Sequence, residues 1–279
     1  MPDANNTENV RAGLTRNESL LLSSLSEKGK TIFRIEDIVS ELRCSYGYAK
    51  VLANNLRKKK WTILLRRGVY LISPLSAGVK SHYTEHEFTV ASSLVTPYYI
   101  AYWSALNFHV FTEQTPFTVF VATTRRAQNV EVLGIRYNFV TLGKRKFFGF
   151  VQTAVGTYRI NISDREKTLA DSLDHPEYCG GIVEVAKCLW NARNKVLIDK
   201  IVSDAERMGN TAIIKRLGYL LESLNINADE KIMSRMREVI SPGMSPLDPT
   251  MPKKGAYNTR WNLMLNVSEE NFGEIRRGP

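Results

Sequence analysis

The 279-residue chain is poor in cysteine, in histidine and in long apolar runs, and each shortage removes a class of protein. Its three cysteines, Cys44, Cys179 and Cys188, share no CxxC spacing, so neither a disulfide framework nor a zinc ribbon is expected. No apolar stretch approaches the ~18 residues a membrane span requires. The opening segment MPDANNTENVRAGLTRN has no apolar core that could act as a secretory signal, so a cytoplasmic protein without a membrane partner is expected. GxSxG, GxGxxG and GxxxxGK are all missing, as is any Asp-x-Asp pair of the kind that holds Mg²⁺ in nucleotidyl transferases. Nothing in the sequence asks for catalysis or a cofactor, and the expectation is a protein that is not an enzyme.

Two histidine motifs bear on that expectation. His82-Tyr83-Thr84-Glu85-His86 fits the HxxEH pattern of inverted zinc peptidases, in which two histidines bind zinc and the glutamate is the base. No third acidic ligand can be assigned, and helix capping or surface polarity accounts for the same residues. A metal-dependent hydrolase using His82, Glu85 and His86 is therefore the remote alternative, and no metal site is expected. His175 follows Asp171 and Asp174, but the turn at His175-Pro176 after a capped helix explains that placement without a carboxylate–histidine pair.

What the chain has is positive charge, unevenly placed. With 38 Lys and Arg against 28 Asp and Glu, its formal net charge is +10. Residues 1–73 hold 13 basic and 7 acidic residues, so about a quarter of the chain carries +6 of that excess. A basic balance favours anionic partners such as nucleic acid or a membrane surface, without specifying a fold. Within this quarter the charge gathers in Arg57-Lys58-Lys59-Lys60 and again in Arg66-Arg67.

The same quarter has a readable pattern. Leu21, Leu22 and Leu25 predict a helix over 18–26, and Phe33, Ile35, Ile38, Val39 and Leu42 mark a second over 34–43. Ser45 can cap a third helix that carries Ala49, Leu52, Ala53 and Leu56 on one face. Its other face shows Tyr46, Tyr48, Lys50, Asn54, Arg57 and Lys58. Two apolar runs, 61–65 and 69–72, flank Arg66-Arg67-Gly68 as a β-hairpin with a basic tip. Three helices followed by a hairpin predict a winged helix-turn-helix over 15–73, after a flexible N-terminus at 1–14. In that architecture the third helix enters the major groove and the wing reaches the backbone or minor groove.

The candidate DNA contacts are Ser45, Tyr46, Tyr48, Lys50, Asn54, Arg57, Lys58, Arg66 and Arg67. Lys and Arg can bind guanine edges or phosphates, Asn pairs bidentately with adenine, and Tyr hydroxyls with a helix N-terminus hold phosphates. Tyr46 or Tyr48 packing against the first helix remains open, as does a winged helix that docks a protein.

Residues 79–240 read as a larger α+β domain. Helical patterns over 83–95 and 99–107 precede strand-like runs at 117–122, 135–140, 147–152 and 157–162. Ser163-Asp164-Arg165-Glu166 reads as a capping box with Glu166 at its third position. The helix it starts is expected to end before Pro176, and further helices are expected over 182–191, 195–207, 211–223 and 229–239. With no βαβ alternation, a small antiparallel sheet followed by a helical C-terminal part is predicted. Lys144, Arg145 and Lys146 fall in a loop between strands, and Arg125 and Arg126 end another strand; either cluster can extend a nucleic-acid footprint or contact an acidic protein partner, with solvated loops as the plain alternative. Residues 241–279 form a Pro-rich tail in which 261–267 can dock back as a strand.

Several segments together resemble a known family. They are Leu65-Arg66-Arg67-Gly68-Val69-Tyr70, Tyr102-Trp103-Ser104-Ala105-Leu106-Asn107, Ser163-Asp164-Arg165-Glu166-Lys167-Thr168-Leu169-Ala170-Asp171 and His175-Pro176-Glu177-Tyr178-Cys179-Gly180-Gly181. The pattern over about 20–239 resembles the AbiEi family of antitoxins, the regulator half of type IV toxin–antitoxin (abortive infection) systems. The resemblance implies a winged helix that binds inverted repeats of double-stranded DNA in its own promoter. It also implies a larger domain that counteracts a nucleotidyl transferase toxin, with or without a stable complex. A monomer or weak dimer in solution would then place two copies on the operator. An orphan winged-helix regulator or a protein-docking module is the alternative.

Overall fold

The structure is a computed structural model, and it describes residues 11–73, 86–114 and 117–277. The chain is α+β and divides into two compact units, Met1–Thr96 with Ala154–Arg159, and Pro97–Thr153 with Ile160–Pro279. The N-terminal unit thus continues beyond residue 73, and residues 241–277 belong to the larger one. Most of the segment expected to be a flexible N-terminus, residues 1–10, lies outside the described residues.

In the N-terminal unit, α1 (Arg16–Glu27) starts at a reciprocal cap: Glu18 N donates to Thr15 Oγ1, and Thr15 N donates to Glu18 Oε2. Strand β1 (Ile32–Arg34) leads directly into α2 (Ile35–Leu42), which ends where Arg43 turns left-handed. Ser45 caps α3 (Tyr46–Lys58), and the hairpin of β2 (Thr62–Arg66) and β3 (Val69–Ile72) follows. Strand β1 pairs antiparallel with β3, giving a three-stranded sheet in the order β1-β3-β2. Leu21, Leu25, Phe33, Ile38, Leu52 and Leu56 form the core beneath the helices. The apolar spacing therefore placed every helix and the hairpin. Only β1 was hidden, since Phe33 and Ile35 also fit a helical period. Helix α4 (Glu87–Leu94) is capped by His86, whose Nδ1 accepts from Phe88 N.

The larger unit holds a six-stranded sheet, and here the expectation of a small antiparallel sheet needs correcting. The strands are β4 (Tyr99–Ile100), β5 (Thr118–Thr123), β6 (Val130–Val132), β7 (Ile135–Thr141), β8 (Phe150–Val155) and β9 (Tyr158–Ser163), in the order β6-β7-β5-β4-β9-β8. Strands β5 and β7 run parallel over six residue pairs, as do β4 and β9 at Ile100–Ile162, whereas β4 and β5 are antiparallel. The reason is the short strand β6. It forms a tight hairpin with β7 through Leu133-Gly134, both at positive φ, so β7 comes back in the direction of β5. A second correction concerns 99–107: Tyr99–Ile100 is a strand, and α5 (Tyr102–Phe108) begins after an extended Ala101.

Helices α6 (Arg165–Asp174), α7 (Ile182–Ala192), α8 (Ile198–Met208), α9 (Thr211–Ser223) and α10 (Glu230–Val239) follow close to expectation. The cap of α6 does not. Asp164, one residue later than Ser163, accepts from Lys167 N at 2.9 Å, while Ser163 Oγ bonds Thr168 Oγ1. Glu166 instead accepts from Leu197 N, capping α8, and pairs with Lys200.

The tail is folded. Strands β10 (Ser245–Pro246), β11 (Ala256–Asn258) and β12 (Leu263–Leu265) form a sheet in the order β10-β12-β11, and α11 (Glu270–Arg277) ends the described chain. Trp261 is fully buried, and its Nε1 donates to Glu222 Oε2 of α9 at 2.8 Å. Asp248 Oδ2 accepts from Ile182 N at the start of α7. The approach of Asp248 explains Gly181: its φ is +90°, and a Cβ there would lie 2.9 Å from Asp248 Oδ2.

Candidate nucleic-acid interface

Lys50 of α3 and the two arginines of the β2–β3 hairpin converge on one groove. Tyr46, Lys50 and Asn54 line it from α3, and Arg66, Arg67, Gly68 and Tyr70 from the hairpin, around a volume of about 580 Å³. Spacing explains the convergence on the helix side. Positions 46, 50 and 54 are successive turns on one flank, while Ala49, Leu52, Ala53 and Leu56 are buried on the other side. Five of the nine residues singled out from sequence are thus brought together.

The other four do other things. Ser45 Oγ accepts from Tyr48 N, satisfying the helix cap. The Tyr48 hydroxyl accepts from Asn17 Nδ2 of α1 at 2.9 Å, so this exposed tyrosine is tied to the first helix. Arg57 and Lys58 are exposed at the C-terminal end of α3, and Arg57 donates to Asn54 Oδ1 at 3.3 Å.

Two groove residues had no sequence signal. Arg34 lies immediately before α2 and lines the groove opposite α3, and Glu36 stands beside it. A single arginine between apolar residues looks like the polar side of an amphipathic segment. Only the pairing of β1 with β3, Arg34 facing Val69, carries it to the hairpin.

The electrostatics favour an anionic occupant. The recorded ion pairs of this unit join Lys28 to Glu41, Lys30 to Asp37, Lys59 to Glu18 and His86 to Glu87. Among the described residues, Arg34, Lys50, Arg66 and Arg67 have no carboxylate partner within 4.0 Å. Lys50 Nζ lies 4.7 Å from the centroid of the Tyr46 ring, which orients it without neutralising it. Arg66 Nε donates to the Ser93 carbonyl of α4 at 2.8 Å, fixing the hairpin arginine against the unit. Partial burial, then the nearby Arg34 charge, lower the Arg66 pKa from its ordinary value. An arginine remains cationic under such a shift, so like charges are held together at a cost that a bound anion would relieve.

The secondary basic residues separate into two kinds. Arg125, Arg126 and Lys144 are exposed. Arg145 instead donates to the carbonyls of Arg207 and Glu206 at the end of α8, and Lys146 pairs with Asp174 at 2.5 Å. These last two side chains are thus engaged within the larger unit, which their sequence neighbourhood does not show. Of the HxxEH motif, His82 and Glu85 lie outside the described residues. His175 contacts Glu177 at 2.8 Å and Asp174 at 3.4 Å within its turn.

The motif residues of α6 are mostly internal. Lys167 and Asp171 form a fully buried ion pair, and the Tyr99 hydroxyl donates to Asp171 Oδ2 at 3.0 Å. Burial pushes the Cys179 thiol well above its ordinary pKa, which disfavours the thiolate form. No helix among the described residues is long and apolar enough to cross a membrane.

No family model matches the chain, and no curated protein matches it in sequence. Among solved structures, the crystal structure of the RV2827C protein from Mycobacterium tuberculosis is similar. The TM-score is 0.60 at 12% identity, over 91% of this chain and 92% of that one. At that identity the likeness is one of fold, and it extends across nearly the whole of both chains.

Proposed function

We propose that this chain is a cytoplasmic DNA-binding transcriptional repressor of its own promoter, with a winged helix-turn-helix at its N-terminus. The observation that supports this best is the groove between α3 and the hairpin. It collects four cations that have no carboxylate partner among the described residues, beside a helix whose polar face carries Lys50 and Asn54. Phosphates would neutralise the cations and base edges would engage the helix, the division of labour found in major-groove readers. The larger unit acts as an antitoxin against a nucleotidyl transferase toxin, a reading that rests on the resemblance of its α5, α6 and Gly180-Gly181 segments. Two copies would occupy inverted repeats on the operator.

The test uses the full chain and the duplex upstream of its own reading frame. A specific mobility shift at submicromolar protein, weakened by replacing Arg66 and Arg67 with Ala, is expected. No specific shift at micromolar protein would leave the hairpin and α3 as a protein-docking surface. Co-expression with a nucleotidyl transferase encoded in the adjacent frame should restore growth; continued toxicity would remove the antitoxin half and leave an orphan regulator.

A further inference from the structure

The outward face of α3 contains two residues that nothing inside the protein requires. Gly47 sits in the first turn with ordinary negative φ, and a Cβ placed there would meet no atom within 4 Å. Glycine is a poorer helix former than alanine, so an internal reason would have to be steric or conformational, and neither exists. Val51, one turn later on the same face, is 57% exposed. A β-branched residue is also a weak choice for an exposed helical position. The other aliphatic residues of α3, Ala49, Leu52, Ala53 and Leu56, are all buried. Val51 is thus the one outward aliphatic side chain of this helix, with Lys50 and Asn54 beside it.

A scattered exposed valine needs no explanation by itself. The combination with Gly47 does, because the two lie at i and i+4 and form one stripe. A missing side chain lets a partner approach the helix backbone closely, and a short apolar side chain one turn on then meets whatever that partner presents. On a major-groove floor the apolar group available is the thymine 5-methyl. We propose that Val51 reads the 5-methyl group of a thymine, with Gly47 providing the close approach of the duplex to the first turn of α3. This rests on the DNA-binding function proposed above and adds a base identity to it. Asn54 flanks the contact and suits an adenine edge on a neighbouring pair.

The experiment selects duplexes from a randomised pool with the full-length chain and then replaces each thymine of the selected motif by uracil, one at a time. At one thymine, loss of the methyl should weaken wild-type binding about fourfold, the effect of one buried methylene-sized group. Val51→Ala should bind the thymine and uracil duplexes equally, with a melting temperature no lower than wild type since the side chain is exposed and alanine is the better helix former. Gly47→Ala should raise the melting temperature yet weaken binding by roughly tenfold, as a methyl forced into a tight contact does. If no thymine matters to wild type, or if Val51→Ala keeps the same sensitivity, the assignment is overturned. Equal binding by Gly47→Ala overturns the close approach. Failure to select any duplex overturns the DNA-binding function itself, together with this inference, and so is distinguishable from the other outcomes.

Discussion

Replacing Arg66 and Arg67 by alanine removes two of the four cations that line the groove, and the consequence is best read from salt dependence. Each phosphate neutralised on duplex DNA contributes about −0.9 to the slope of log K against log salt concentration, through release of condensed counterions. If Arg34, Lys50, Arg66 and Arg67 each meet one phosphate, the groove contributes a slope of about −3.6, and the double variant retains about −1.8. Between 50 and 200 mM salt the groove contribution then falls roughly 150-fold in wild type and roughly 12-fold in the variant. Arg57 and Lys58, exposed at the end of α3, steepen both curves alike, so the difference between slopes is the diagnostic quantity. Fluorescence anisotropy with a labelled upstream duplex, titrated at several salt concentrations, measures it. Because Arg66 also bonds the Ser93 carbonyl, Arg67→Ala alone is the control for folding; its slope should fall by about 0.9. Parallel slopes for wild type and both variants would refute the placement of phosphate in this groove.

Three further predictions concern the larger unit. Lys167→Met leaves the Asp171 carboxylate buried without its cation and should cost about 3–5 kcal/mol in urea unfolding, whereas Lys167→Met with Asp171→Leu should recover most of it; a cost below about 1 kcal/mol for the single change would show that the pair is not buried. Burial raises the Asp204 carboxyl from 3.8 to about 6, with Asp164 next in effect, and its Oδ2 has no hydrogen-bond partner. The folded state therefore holds this proton more tightly than the unfolded state, and ionisation costs stability as pH rises through 6. Asp204→Asn should stabilise by about 1 kcal/mol near pH 8, after allowance for solvent screening, and the gain should vanish below about pH 4; a gain independent of pH would refute it. Trp261→Ala should cost about 3–5 kcal/mol by emptying a fully buried site. Gly218→Ala should destabilise too, since its Cβ would lie 2.3 Å from the Trp261 ring; wild-type melting of both would mean the tail is not docked.

Where the pattern of apolar residues was local, it was enough. Leu21, Leu22 and Leu25, or Ala49, Leu52, Ala53 and Leu56, mark helix faces because a helix repeats within the reach of its own hydrogen bonds. The hairpin around Arg66-Arg67-Gly68 was legible for the same reason. Failures came where a residue's partner lies far along the chain. Ser163 and Glu166 have the spacing of a capping box, yet Glu166 serves the start of α8, 31 residues on. Lys144-Arg145-Lys146 looks like one basic patch, but Arg145 is used by carbonyls at the end of α8, and Lys146 by Asp174.

The sequence by itself determined that the chain is α+β, where most of its helices lie, and that more than half of its excess charge sits in the first 73 residues, with clusters at the end of α3 and on the β2–β3 hairpin. Those properties follow from periodicity and composition, which act over a few residues. Tertiary structure alone decided that Arg34 joins the groove, because strand pairing brought it to Val69. It also decided which cations stay available: Glu18, Asp37 and Glu41 are taken by Lys59, Lys30 and Lys28, and among the described residues the groove cations make no ion pair, although Glu36 lines the same groove. A charge count is additive along the chain. Neutralisation depends on distances of a few ångströms, and only the folded chain sets those.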